Sequence, residues 1–428
     1  MRRLMNVVML LVFAIAVVGT AFAGGGDEEP ADGERGTVNI GVITSQSGGG
    51  GVIGVGQRYG AELAVETINN NGGVQIGDRM YNVAAVIRDD ESAPDVALRR
   101  MREMARDFDV TAFVGGTLGN VSVALANESQ NADLFYIASN GVPESFFRAE
   151  NRAPTSASIV AAAEWAGRGA AAYMIDKLGL EKIACFMPDY AIGQGTWKGF
   201  QEIAEEREGV EYEVFWHPVG APDLTAQLIL AREYEPDILF MGSWGGDAIT
   251  ALKQAHEMNM REQMDIMHFW LMNAFATGIP AEAIEGVYGQ TFWYHDMSGF
   301  EDQDVVDASN QFSEAYVRKY GEPPDGYAMT TYYAVLEAVR AMSLAGTTSD
   351  AQAMMDALVE NPEWTGAKGP AEWREDGAVI YEYATWIVQG KGEGERDATT
   401  YDQRFDYARI IDVYDGGEYV PPLSQLGY

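Results

Sequence analysis

The sequence predicts an α/β protein made of two open, doubly wound parallel-sheet lobes joined by a multi-strand hinge. Three observations carry this expectation. Short apolar runs alternate with helical patterns of about 10–15 residues, the signature of βαβ units around a parallel sheet. The alternation begins after residue 37 and restarts after Pro154. Beyond an N-terminal leader about 390 residues remain, too many for one ordinary core and suited to two.

The leader comes first. Arg2 and Arg3 open the chain, Leu4–Val18 is apolar, and Ala21-Phe22-Ala23 is a small-residue cleavage site. Together they predict a secretory signal over 1–23, cut after Ala23. Its apolar core is short against the roughly 20 residues of a membrane span. No cysteine lies near the cleavage site, so a lipid anchor is not expected, and a periplasm is the expected compartment. Residues 24–36, GGGDEEPADGERG, hold nothing large and apolar to bury and read as a disordered acidic linker.

In the first half, strands are predicted at Val38–Thr44, Tyr81–Arg88, Val110–Val114 and Leu134–Ser139, with helices over 55–70, 94–108 and 120–131. The helix at 94–108 has Pro94 and Asp95 in its first turn and an apolar stripe of Ala97, Met101, Met104 and Phe108. The helix before it stops at Asn69–Gly73, a run suited to a left-handed cap. After Pro154 a helix is predicted over 157–178, then strand Lys182–Met187, helix 195–207, strand Val210–Trp216 and helix 223–233. Strand Ile238–Met241, helix 247–259 and strand Asp265–Trp270 follow. Two more helical patterns lie in 303–345, and strands resume from 378. Crossings between lobes are placed near 155, near 292 and near 367–375. They assign 37–155 and 293–366 to one lobe, and 156–292 and 367–428 to the other, with a cleft between facing strand ends.

Composition narrows the function. With 64 acidic against 29 basic residues the formal charge is −35, which argues against nucleic acid or anionic lipid as partners. The lone cysteine, Cys185, lies in the apolar run KIACFM and is expected to be buried and inert.

The loop after the first strand contains Gly49-x-Gly51-x-x-Gly54, a literal dinucleotide fingerprint. Such a site needs an acidic residue about 20 positions on, whereas Asp89 lies 35 residues beyond Gly54. No nucleotide, metal or other cofactor is expected. Ser45, Gln46 and Ser47, with backbone N–H groups at the helix start, instead suit the anionic or polar end of a small solute; the alternative is a tight turn at the cleft rim. A second loop of this type carries Thr117, Gly119 and Asn120, and a third is Ser139-Asn140-Gly141. In the second lobe the equivalent places hold Tyr190, Ile192, Trp244 and Trp270. Trp244, flanked by Ser243 and glycines, reads as facing a ligand; Trp270 fits either a buried strand aromatic or a contact.

Enzyme chemistry is not expected. His217, His256, His268 and His295 are scattered, and there is no nucleophile elbow or phosphate-loop lysine. Asp89, Asp90 and Glu91 suit capping as well as acid–base work.

Taken together, IGVITSQSG, GAELAVETINNNGGV, RDDESAPDVALRRM, VGGTLGN, FYIASNG, DYAIGQG and PPDGYAMTTYYAVLEAV resemble the type I periplasmic solute-binding proteins of ABC importers. The closest branch is that of the branched-chain amino-acid-binding proteins. The resemblance implies a monomer that closes around one small molecule and delivers it to a membrane permease. It also implies that the family's loop tyrosine falls on Ile53, its two second-lobe tyrosines on Ile192 and Trp244, and its ammonium-binding glutamate on Trp270. A carboxylate-holding threonine falls near Val142, while Gly119 and Gly141 keep their backbone donors. An ammonium buried without an acidic partner is costly, so these replacements shift the expected ligand toward an aromatic or apolar carboxylate. The alternatives are a branched-chain or other amino-acid carrier, or a solute sensor acting in trans on a membrane receptor.

Overall fold

Strands that read as unbroken apolar runs are the central strands of two separate sheets, where helices on both faces exclude water. The computed structural model describes residues 35–398, 401–414 and 419–428. The expected signal and most of the acidic linker lie outside the described residues; Gly36, the last residue of that linker, already belongs to a strand.

The first unit contains β1 (Gly36–Thr44), α1 (Gly51–Asn70), β2 (Val74–Ile76), β3 (Arg79–Asp89), α2 (Pro94–Phe108) and β4 (Ala112–Gly115). It continues with α3 (Gly119–Ala132), β5 (Phe135–Ala138) and β6 (Ser156–Ser158). The sheet order is β2-β3-β1-β4-β5-β6, parallel except for the β2–β3 hairpin. Every residue of β4 and β5 is buried. The helix α1 ends at Gly72 and Gly73, both with positive φ, as the Asn-Gly run requires. In α2 the stripe Ala97, Met101 and Met104 is buried, but Phe108 is 39% exposed. There the chain turns left-handed at Asp109, and the Arg88 guanidinium lies over the Phe108 ring at 5.1 Å.

The second unit holds α4 (Ala163–Ala172), β7 (Lys182–Pro188), α5 (Ala191–Glu205), β8 (Glu211–His217), α6 (Thr225–Glu233) and β9 (Ile238–Met241). After these come α7 (Gly245–Glu257), β10 (Asp265–His268), α8 (Asn273–Ala276), α9 (Ala281–Ile284) and β11 (Tyr288–Thr291). Two expectations are corrected here. Residues 157–162 are not helical: β6 pairs with β5 through Tyr136–Ser156, so the first sheet runs past the division expected at 155/156, and α4 starts at Ala163. A short run of small and apolar residues does not distinguish a buried strand from a helix by period. And β10 ends at His268, leaving Trp270 in the following turn.

The chain then returns. Helices α10 (Gln303–Tyr320), α11 (Gly326–Ala345) and α12 (Ala351–Glu360) come back to the first unit, where α11 packs on α1, β4 and β5. A small antiparallel sheet, β12 (Glu363–Gly366), β13 (Gly369–Trp373) and β14 (Val379–Tyr381), leads to β15 (Thr385–Gly390) and β16 (Ala408–Tyr414). These last two add antiparallel to the second sheet, whose order is β16-β15-β11-β10-β9-β7-β8. Cys185 is buried in β7, and burial raises its thiol well above the ordinary value. No helix among the described residues is long and apolar enough to cross a membrane.

Two helix pairs approach backbone to backbone. A Cβ on Gly60 of α1 would stand 2.1 Å from the Ala328 carbonyl oxygen of α11. Between α4 and α5, a Cβ on Gly167 would stand 2.2 Å from Thr196 O, and one on Gly199 1.8 Å from Glu164 O. No side chain fits such gaps without moving a helix. Gly60→Val is therefore expected to cost about 1–3 kcal/mol, read as a lowered urea midpoint; an unchanged midpoint contradicts this packing.

Candidate functional site

The strand ends of both sheets face each other, and two glycines mark where they meet. A Cβ on Gly141 would lie 3.2 Å from Cη2 of Trp270, and one on Gly119 would lie 3.6 Å from Cδ1 of Ile192. Glycine at these two positions lets loops of the first sheet touch aromatic and aliphatic side chains of the second. The structure thus joins Gly119, Gly141, Ile192 and Trp270 across a closed cleft, and α1 also contacts α8.

The first glycine loop has a different role from the one expected. The Ser45 N–H donates to Thr117 Oγ1 at 2.8 Å, and its hydroxyl donates to Asp90 at 2.6 Å. The Gln46 N–H and the Ser47 hydroxyl donate to Asp89 at 2.8 and 2.7 Å, and the Gly50 N–H donates to Ser92 Oγ at 3.0 Å. These donors are consumed inside the loop, so Ser45 and Ser47 hold the turn and do not offer those hydrogens to a solute. The fingerprint match dissolves with them: a Cβ on Gly54 would stand 1.7 Å from Ser45 O, so helix–loop contact explains that glycine. The acidic cluster is the staple. Burial pushes Asp90 up, against its hydrogen bonds from Ser45 and Ser92. Burial acts on Asp89 too, but donors from Glu91, Ser47 and Gln46 together outweigh it and hold that carboxyl below its ordinary value.

From Thr117 a buried polar chain runs inward. Its hydroxyl donates to Gln57 Oε1 at 2.5 Å, Gln57 Nε2 donates to Ser139 Oγ at 3.0 Å, and Ser139 Oγ pairs with Thr331 Oγ1 at 2.8 Å. The Thr330 hydroxyl donates to Ser139 O at 2.7 Å, and Asn140 Nδ2 donates to Thr117 O at 2.6 Å. The chain orients the second and third loops and ties them to α11. Sequence reasoning missed Gln57, Thr330 and Thr331. The available signal was Gln57 itself, a polar residue sharing the buried face of α1 with Gly60, Ala61 and Ala64.

Asn120 is exposed, and its Oδ1 accepts from the Val121 N–H at 3.0 Å, a local cap. The first N–H groups of α3, at Gly119 and Asn120, have no intrahelical carbonyl to meet and lie at the cleft edge with Gly141. Ile53 is 4% exposed and packs into the main apolar cluster, so it is not an open wall.

In the second unit Trp244 precedes α7 in an extended conformation, is half-buried and packs against the main apolar cluster. Burial pushes the Tyr190 hydroxyl up, Asp247 adds to it, and a hydrogen bond with Trp244 opposes both. Trp270 has φ +53°, a conformation that a bulky residue adopts only where the surroundings enforce it. Its ring stacks on Phe269 at 4.4 Å and meets Phe292 edge-on at 5.8 Å. The aromatic wall continues through Phe292 to Tyr327, 5.6 Å apart. Beside it Asp325 caps α11, accepting from the Ala328 N–H at 2.9 Å, and burial pushes its carboxyl up to about 6. Sequence reasoning passed over Tyr327 and Asp325, although Asp325-Gly326 at a helix start is an N-cap signal.

Two sheets of mainly parallel strands, meeting where Gly141 and Gly119 face Trp270 and Ile192 and joined by several crossings, make a two-lobed α/β fold with room for a solute between the lobes. The chain belongs to the periplasmic binding protein family, whose profile matches residues 37–395. It is 24% identical over 353 residues to Leu/Ile/Val-binding protein homolog 1 of Brucella abortus (strain 2308), spanning 79% of this chain and 87% of that one. A solved structure of a branched-chain amino acid transporter substrate-binding protein from Streptococcus pneumoniae with isoleucine is 18% identical. Its TM-score is 0.72, over 88% of this chain and 99% of the other. A solute-binding protein of an ABC transporter from R. palustris with benzoate is also 18% identical, with a TM-score of 0.73 over 89% and 97%. The fold is that of the type I periplasmic binding proteins. Its family is that of the periplasmic binding proteins.

Two outcomes follow from this geometry. Gln57→Leu leaves the buried Thr117 hydroxyl hydrogen without an acceptor and takes one donor from Ser139, and is expected to cost about 1–3 kcal/mol of stability, measured by urea denaturation; a neutral result contradicts the polar chain. His268, at the end of β10, is fully buried, and burial brings its pKa from 6.5 down to about 3. The unfolded chain protonates there below 6.5 and the folded one only near 3, so this group makes stability rise with pH across that window. Replacing it in His268→Leu is expected to flatten the acid limb of a melting-temperature profile, whereas a parallel profile contradicts it.

Proposed function

We propose that the protein binds an aromatic or otherwise apolar carboxylate in the cleft between the sheets and presents the closed form to a membrane permease. One observation carries the ligand class. Trp270, at the position where the resemblance implies an ammonium-binding glutamate, lays an indole against Gly141. With an indole and no carboxylate at that position an ammonium has no ionic partner there, which favours a ring or aliphatic body. In this reading the N–H groups at Gly119 and Gly141 take the carboxylate, as helix N-termini and glycine turns do. Tyr190, Trp244 and Trp270 pack on the body, with ring contacts contributing about 0.5–1.5 kcal/mol each. That relatives of this fold are found with benzoate and with 3,4-dihydroxybenzoic acid supports the reading at the level of the fold.

The same proposal includes the leader at 1–23, removed on export to the periplasm, a monomeric mature chain, and lobe division at the crossings. The first lobe ends at β6, regains the chain after Phe292 and gives it up again near the small sheet.

A second reading has its own observation. Asp325, beside Tyr327 and with a carboxylate oxygen 3.1 Å from where a Cβ on Gly56 would be, is an acid able to meet an ammonium, which favours an amino-acid ligand. Calorimetry with benzoate, phenylacetate, leucine and isoleucine separates the two. Binding of the aromatic acids with a melting-temperature rise, weakened roughly tenfold in Trp270→Ala, is the expected outcome. Tight binding of leucine with none of the aromatic acids overturns it in favour of the second reading.

A further inference from the structure

The segments that carry the chain between sheets enclose a narrow cavity at the base of the cleft. It offers about 50 Å³ to water centres, room for a few waters or one small polar substituent. Val160, Phe292, Lys368 and Tyr381 line it, one or more from each crossing, and Trp270 and Thr330 line it on the side of the Ser139–Gly141 loop. Trp270 rests on Gly141, and the Thr330 hydroxyl donates to Ser139 O, so the cavity begins directly behind the cleft lining.

Two polar side chains in this wall are incompletely satisfied. Lys368 is 5% exposed; its Nζ donates to Ala384 O at 2.8 Å and lies 4.4 Å from the Tyr381 ring centre. Among the described residues no carboxylate is within 4.0 Å of it, and burial brings its pKa from 10.5 down to about 7. Gln290 is 2% exposed; its Nε2 donates to Ala166 O at 3.0 Å, while its Oε1 has no partner among the described residues. The wall therefore holds an amine with hydrogens to give and a carbonyl oxygen with none received.

A hydroxyl group satisfies both, because it accepts and donates at one oxygen. A carboxylate has no hydrogen for Gln290, an ammonium has no lone pair for Lys368, and a methyl group serves neither. We propose that this cavity is the inner end of the solute site and takes a hydroxyl substituent of the ligand, which accepts from Lys368 Nζ and donates to Gln290 Oε1. The inference rests on the cleft being the site of an aromatic acid, as proposed above, and it makes hydroxylated aromatic acids the preferred class. A ring against Trp270 places a substituent at the cavity mouth, while the carboxylate stays at the Gly119 and Gly141 end.

The test is calorimetry on the exported chain with benzoate, 3- and 4-hydroxybenzoate, and the matching methylbenzoates. One hydroxybenzoate is expected to bind roughly tenfold or more tightly than its methyl counterpart. Lys368→Met and Gln290→Met are each expected to shrink that ratio to about threefold or less. Equal binding of the hydroxyl and methyl acids, as when the cavity holds only water, overturns the inference while benzoate binding upholds the cleft reading. A preference that survives in both variants also overturns it. Absence of binding by every aromatic acid overturns the cleft reading and this inference together. Should Lys368→Met fail to fold, the ratio in Gln290→Met decides.

Discussion

The arrangement of the cleft depends on one buried chain of hydrogen bonds. It runs from Asp90 through Ser45, Thr117, Gln57 and Ser139 to Thr331. Buried polar groups are costly unless every member is paired, so the chain forms only when the ends of β1, β4 and β5 and the helices α1 and α11 are all in place. It joins segments nearly 300 residues apart in sequence, from Ser45 to Thr331. Through it the returning helix α11 sets the height of the Ser139–Gly141 loop, and that loop meets Trp270.

Close approach does the rest. Glycines at 60, 167 and 199 let helices pack backbone against backbone, while Gly119 and Gly141 let first-sheet loops touch Ile192 and Trp270. The same residue type serves two ends: rigid units inside each half, and a thin seam between the halves. The left-handed Trp270 sits on that seam. Its stack with Phe269 and its edge contact with Phe292 supply the surroundings that hold a strained backbone conformation.

Much of the fold was legible, and the reason is local. Parallel strands buried on both faces are written as Phe113-Val114, Phe135-Tyr136-Ile137 and Ile238-Leu239-Phe240-Met241. The period of α2 and the Asn-Gly stop of α1 were equally plain. The stretch 157–162 was not, because β6 is three residues long and is a strand only by pairing with β5. Of the candidate site, Gly119, Gly141, Ile192 and Trp270 were legible as loop residues at strand ends. The turn donors Ser45 and Ser47 were misread, since a free donor and one bound to Asp89 or Asp90 look alike in one dimension. Thr330, Tyr327, Gln290 and Lys368 were silent because they gain meaning only from partners brought from elsewhere in the chain.

By itself the sequence determined two parallel-sheet units, the glycine turns at their strand ends and the buried cysteine. These follow from hydrophobic period and local backbone preference, which act over a few residues. Only the tertiary structure decided which donors remain available, which glycines face the opposite sheet, and that Lys368 and Gln290 share a cavity with Trp270. Hydrogen-bond partners and burial are properties of neighbours in space. Where the neighbours lie tens to hundreds of residues apart, no local pattern carries them.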